Sequence, residues 1–271
     1  MDRLTLDEEE PVKPNAPIGY FEEFISGAVH PYPPVLPIVH VTHSIWADKI
    51  LKSGIIEAIP CKEFANEPLA YFFYGAARYR GSPKPASTLS AWLPSAFVIR
   101  LDRTKVAIKR AYPFDTGAFK QNKYSDFFHP AMPLNDFLLT EGDTSAQKCI
   151  QTFFGDNKGY LSESIRADLK YPPANFHINS YVELISNGKP DEVDHRRSAI
   201  EFQIGSNVEL RQHEVISVVV PERLMDDVDF VDLVRTVCKV EPVSYKNSKA
   251  PSDFHYGQLF EVVDRMISKK S

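Results

Sequence analysis

The stretch Pro37-Ile38-Val39-His40-Val41-Thr42-His43-Ser44-Ile45-Trp46-Ala47-Asp48-Lys49-Ile50-Leu51-Lys52-Ser53-Gly54 reads as a strand, a tight polar turn and a helix. Leu36, Ile38, Val39 and Val41 supply the β-branched and apolar content of a buried strand, and Thr42 and Ser44 offer side-chain oxygens to the first free N–H groups of the helix. Ile45, Ile50 and Leu51 fall near one helical face, and Gly54 stands where a left-handed C-cap belongs. His40 ends the strand with Thr42 two residues on, so both side chains leave the same side of the sheet. On these residues alone the commoner reading is a satisfied core histidine beside a capping threonine; the other is a pair that holds a ligand.

Outward from this unit, the chain of 271 residues is long enough for one sizeable core, and 43% hydrophobic with 25% charged residues is ordinary for a globular protein. A net charge of −5 gives no global attraction to nucleic acid or an anionic membrane, so a polyanion would have to meet a local basic patch. No apolar run reaches the length of a membrane span, and the acidic start, Asp7 to Glu10 included, lacks the pattern of a secretory signal, so a cytoplasmic location is expected. Cys61, Cys149 and Cys238 are isolated and odd in number, against a disulfide framework or a zinc site. The proline-rich segment 1–36 is expected to be an arm, with Tyr20 to Ile25 forming a helical turn or two, and 37–271 a single domain.

Pro68 to Gly75 is a dense aromatic strand ended by glycine, with Tyr71 and Phe73 on one face and Phe72 and Tyr74 on the other. Arg78 and Arg80 follow it; an aromatic face beside guanidinium groups can hold a flat ring and a phosphate, although such strands are usually core. Ser95 to Asp102 is another strand, and Arg103, Lys105, Lys109, Arg110, Lys120 and Lys123 then form the most basic stretch of the chain. Within it, Tyr112 to Phe119 has the proline, aspartate and glycine of a buried turn. Helices are predicted from 143 or 144 to Phe154, from 226 or 227 to about Val237 and from 252 or 253 to Ile267, with strands at 198–204, 208–210 and 215–221.

Glu201 is the sharpest single residue. A carboxylate within Ser198-Ala199-Ile200-Glu201-Phe202-Gln203-Ile204 is expensive to bury without stabilising partners. It is either an acceptor placed where positive charge develops in a reaction, or an edge residue or partner of Arg196 or Arg197.

As a set, "VHVTHSIWADKILKSGII", "YFFYGAARYR" and "SAIEFQI…VEL…VISVVVP" resemble the ADP-ribosyltransferase family, and within it the DarT-type bacterial toxins that modify nucleic acid, over roughly residues 36–220. The resemblance implies an α+β fold with a split β-sheet and flanking helices, NAD as co-substrate and no metal. By analogy His40 and Thr42 position NAD, Tyr71 or Tyr74 stacks on nicotinamide, Arg78 or Arg80 meets the pyrophosphate, and Glu201 is catalytic. His195, Arg196 and Arg197, in the loop before the glutamate, would contact the acceptor. Ala199 stands where arginine-specific members carry Glu or Gln, which turns the expectation away from an arginine side chain, while the 195–197 loop together with the basic stretch around 100–123 turns it toward nucleic acid; the resemblance further implies a toxin or defence effector with an antitoxin protein as its partner. The alternatives are transfer to protein, NAD hydrolysis, or a binding module without chemistry.

Overall fold

The computed structural model describes residues 19–78, 89–187 and 195–268. The opening stretch folds as its pattern predicts: Ile38–His43 is a strand, Ser44–Ser53 a helix, and Gly54 closes it in the left-handed region at φ 73° with its N–H on the Ile50 carbonyl. The cap differs from the expectation. The N-cap is His43, without a side-chain bond; the Ser44 hydroxyl instead donates to the Leu93 carbonyl at 2.9 Å and meets Ser95 Oγ, which ties the helix start to the next strand. Ala47 and Leu51 face the core, whereas Ile45 is exposed.

In chain order the strands are β1 (Ile38–His43), β2 (Ile55–Ile56), β3 (Ile59–Cys61), β4 (Glu67–Tyr74), β5 (Pro94–Arg100), β6 (Arg110–Tyr112), β7 (Glu201–Ile204), β8 (Val208–Glu209), β9 (Glu214–Pro221) and β10 (Val243–Tyr245). The helices are α1 (Tyr20–Ile25), α2 (Ser44–Ser53), α3 (Thr116–Lys120), α4 (Asp143–Phe153), α5 (Asn157–Leu161), α6 (Phe176–Ser186), α7 (Val228–Cys238) and α8 (Ser252–Ser268). The fold is α+β: one mixed sheet in the order β10-β9-β5-β1-β4-β7-β6, with β3 added to β4, β2 paired with β8, and helices on its flanks. All pairs are antiparallel except β10 with β9.

The sheet divides between β1 and β4. These strands pair only at Ile38↔Tyr74 and Val39↔Phe73. Beyond Val39, β1 stays with β5 as far as His43↔Pro94, while β4 stays with β7 from Phe73↔Glu201 to Ala70↔Ile204. The result is a fork, closed at Tyr74 and open toward Thr42 and Glu67. Its closed end is tied by the Gly75 N–H to the Pro37 carbonyl at 2.7 Å, the Leu36 N–H to the Tyr74 hydroxyl at 3.0 Å, and Tyr160, whose hydroxyl donates to the Tyr74 carbonyl and accepts from the Ile200 N–H.

Each half has its own cover. On one side α7 packs on β9, and α8 on β5, β9 and β10; these are the two C-terminal helices the sequence predicts, with β10 as a short parallel strand it did not announce. On the other, Phe21 of α1 stacks on Phe153 of α4 and meets Tyr181 of α6 edge-on, so the described part of the proline-rich segment is built into the core. Its residues 1–18 lie outside the described residues. Phe114, Phe119, Phe128 and Phe137 form an aromatic cluster around α3, which reaches β7 through Thr116 and Glu201. Among the described residues no helix is long and apolar enough to cross a membrane.

Candidate active site at the fork

Glu201 is the first residue of β7 and is 2% exposed. Its carboxylate is met by three donors: the Thr116 hydroxyl at 2.7 Å, the Thr116 N–H at 3.1 Å and Gln203 Nε2 at 2.8 Å. Thr116 is there because Asp115 caps α3, its Oδ1 accepting from the Ala118 N–H at 2.6 Å, while the Asp115 N–H is held by the Arg196 carbonyl. The first free N–H of α3 therefore points at Glu201, as helix starts do toward anions. Burial, and secondarily the Asp115 carboxylate beside it, push the Glu201 carboxyl up to about 8, against the lowering effect of Gln203 and Thr116.

Across β4 and β6, Tyr71 and Arg110 both stand opposite Gln203, and Phe73 and Tyr112 opposite Glu201, so these side chains share one face. The Tyr71 phenol donates to Cys61 Sγ at 2.9 Å, and burial holds its ionisation far above the ordinary tyrosine value. Arg110 Nε donates to Gln203 Oε1 at 2.8 Å and its Nη2 reaches the Glu67 carboxylate, which Lys109 also meets. The guanidinium lies 4.5 Å from the centre of the Phe64 ring.

His40 occupies the fork itself. Its Nδ1 lies 3.0 Å from the Tyr71 carbonyl, where a continuing ladder would have placed a backbone bond. A carbonyl only accepts, so Nδ1 carries the proton and Nε2 is left as an acceptor. Burial pushes the imidazole pKa below the usual value, partly offset by the Tyr71 carbonyl, so the ring is neutral at pH 7. The ring lies 5.4 Å from Phe72, which alternates with Tyr71 and Phe73 along β4. His40 is thus brought to the main chain of Tyr71 but not to Glu201. Thr42 follows on β1, opposite Ser95 and half-buried.

The other residues singled out by sequence are placed elsewhere. Tyr74 is fully buried, its ring 5.2 Å from Phe202 and its hydroxyl on the Leu36 N–H. Arg78 is 5% exposed: it donates to the Leu161 carbonyl and pairs with Glu163 and Asp264. Arg197 meets the same Glu163 at 3.5 Å. Arg196 contributes its carbonyl to Asp115. Arg80 and the loop 188–194 lie outside the described residues, as does the His195 side chain. Several cations of the basic stretch are engaged internally, Arg103 with Asp143 and Lys109 and Arg110 with Glu67. Thr116 and Gln203, which the sequence reading passed over, are the direct partners of Glu201. The threonine lies 85 residues upstream in a turn; the only local signal was the Asp-Thr-Gly capping pattern.

Described clefts of about 750 Å³ and 400 Å³ share no lining residue with this site. Among the described residues no group of three or more His, Cys, Asp or Glu could hold a metal ion.

No protein-family model matches the chain, and no curated protein sequence does. Among solved structures it is similar to Thermus sp. 2.9 DarT in complex with NAD+, at 12% identity and a TM-score of 0.41, over 82% of this chain and 98% of that chain. The same Thermus protein in complex with carba-NAD+ matches at 11% identity and a TM-score of 0.38, over 80% and 98%.

Proposed function

We propose that this chain is an NAD-dependent mono-ADP-ribosyltransferase that passes ADP-ribose to nucleic acid with release of nicotinamide. The observation that carries the reading is a buried carboxylate, Glu201, set beside a fork in the sheet and ringed by donors that fix its direction. Breaking the bond between ribose and nicotinamide passes through an oxocarbenium-like state, and a positioned anion stabilises charge that exists only there. Nicotinamide leaves as a neutral molecule, so one carboxylate suffices and no general acid is required.

A dinucleotide laid across the fork would meet β1 on one side and β4 with β7 on the other. His40 Nε2 accepts from a ribose hydroxyl, Thr42 adds a second polar contact, and Tyr71 is the aromatic surface on the Glu201 face. Arg80 is assigned to the pyrophosphate, and His195, Arg196 and Arg197 to the acceptor. Toxin or defence activity, with an antitoxin to restrain it, follows from the resemblance in the sequence.

Two results are expected. Replacing His40 with Ala removes one hydrogen bond and raises the NAD dissociation constant about tenfold by calorimetry; an unchanged constant returns His40 to a core role. Nicotinamide release should rise with pH through about 8 and level off above it, because Glu201 acts ionised and its carboxyl is raised. A profile flat from pH 6 to 9 would mean that bound NAD does not use this carboxylate.

The direct test is to incubate the protein with NAD labelled at the adenylate phosphate and separate DNA, RNA and protein fractions of a lysate. Covalent label in nucleic acid supports the proposal. Label in protein alone, or nicotinamide release without label, replaces the acceptor with protein or water; no release at all leaves a binding module.

A further inference from the structure

Gln203 stands two residues after Glu201 on the same strand, so both side chains leave the same face. Its amide is read at both ends. Arg110 Nε can only donate, so the atom it meets at 2.8 Å is the amide oxygen. The N–H₂ is thereby turned toward Glu201 Oε1 at 2.8 Å and Thr116 Oγ1 at 3.1 Å. Arg110 in turn cannot swing away: the Glu67 carboxylate takes its Nη2 and the Phe64 ring lies under it. A chain of hydrogen bonds joins the two carboxylates: Arg110 donates to both Glu67 and Gln203, and Gln203 donates to Glu201.

We propose that Gln203 is a positioning residue for Glu201: clamped by Arg110, it holds one carboxylate oxygen in place and favours the ionised form. The proposal rests on the catalytic role given to Glu201 above. The groups that face Glu201 are Asp115, the cap of α3, and Thr116, its first residue, Tyr71 from β4 with Cys61 of β3 behind it, and Tyr112 and Arg110 from β6 with Glu67 and Lys109 beyond. Asp115 and burial favour the proton; Thr116 and Gln203 oppose it. An apolar side chain at 203 would remove a donor that Thr116, already committed through both its N–H and its hydroxyl, cannot replace.

The test follows the carbon-13 carboxyl resonance of Glu201 against pH in the free protein, without NAD. Gln203→Leu is expected to raise its midpoint by about one pH unit. Arg110→Lys, on a strand at the sheet edge, keeps the positive charge but loses the planar fork that joins Gln203 to Glu67, so the amide is free to turn and the midpoint moves the same way; it also serves if Gln203→Leu does not fold. Lys109→Met, which removes the side-chain contact to Glu67 and keeps the main-chain bond from the Lys109 N–H to the Gln203 carbonyl, should leave the midpoint in place. A folded Gln203→Leu protein titrating with the wild type would overturn the proposal. In the NAD assay, the pH–rate midpoint should move to higher pH with the plateau kept; a lowered plateau at an unmoved midpoint would mean a merely structural role. A shifted titration in a protein that releases no nicotinamide would refute the proposed function and leave the role of Gln203 standing.

Discussion

Glu201→Gln is expected to slow nicotinamide release by about 10³-fold while the protein still folds and binds NAD within a few-fold of the wild type. The loss corresponds to about 4 kcal/mol of transition-state stabilisation. Glutamine is nearly isosteric but neutral, so it fills the same space beside Thr116 and Gln203 without the charge that an oxocarbenium-like state needs. One bond is sacrificed. The Gln203 amide is fixed by Arg110, so a new amide at 201 would turn N–H₂ toward N–H₂ on one side while its oxygen still accepts from the Thr116 N–H. Stability moves with pH in a defined sense. A carboxyl raised from 4.5 to about 8 on folding contributes stability that is fully present below 4.5 and is lost as pH rises through about 8. The glutamine variant lacks this dependence, so between pH 5 and 9 it should gain in stability relative to the wild type. Rapid-quench measurement of nicotinamide and urea unfolding at several pH values check both statements; turnover at the wild-type rate would remove Glu201 from the mechanism.

Gly75→Ala is expected to cost about 2–4 kcal/mol, the sum of a left-handed backbone penalty and forced displacement of a core neighbour. Gly75 sits at φ 68°, and a Cβ there would come within 2.4 Å of Leu36 Cδ1 and 3.1 Å of Leu36 Cβ. Leu36 has nowhere to go. It is 3% exposed, its N–H is bound to the Tyr74 hydroxyl, and the next residue, Pro37, accepts from the Gly75 N–H. The substitution therefore strains the closed end of the fork. A urea midpoint that falls with an unchanged m-value would report this loss; a variant within about 0.5 kcal/mol of the wild type would mean that Leu36 repacks freely.

What the sequence disclosed and what it hid follow from how local each signal is. The strand, turn and helix from 37 to 54 were legible because their periodicity and the C-capping glycine lie within one stretch of chain. Glu201 was legible because a single carboxylate among Ile200, Phe202 and Ile204 has no local excuse. Its partners were not: Thr116 reaches it only through a contact 85 residues away, and Gln203 looks like any polar residue near a strand end. Tyr74 and Arg78 show the reverse problem. An aromatic and an arginine at the end of a strand resemble a ligand surface until Tyr160, Leu161 and Glu163 arrive from a remote segment and enclose them. Ser44 had the look of a cap, but a carbonyl 49 residues on, at Leu93, claims its hydroxyl.

The narrow join between β1 and β4 has a mechanical consequence. From Tyr74 to Glu67, β4 extends over about 23 Å at ~3.3 Å per residue, anchored to β1 by just two residue pairs at one end. A change of about 10° in the angle at that join would alter the gap at the far end by roughly 4 Å over that lever arm. What can be held between the half-sheets depends on an angle as much as on the side chains that line them, and that angle is set by Leu36, Gly75 and Tyr160, none of which faces the gap.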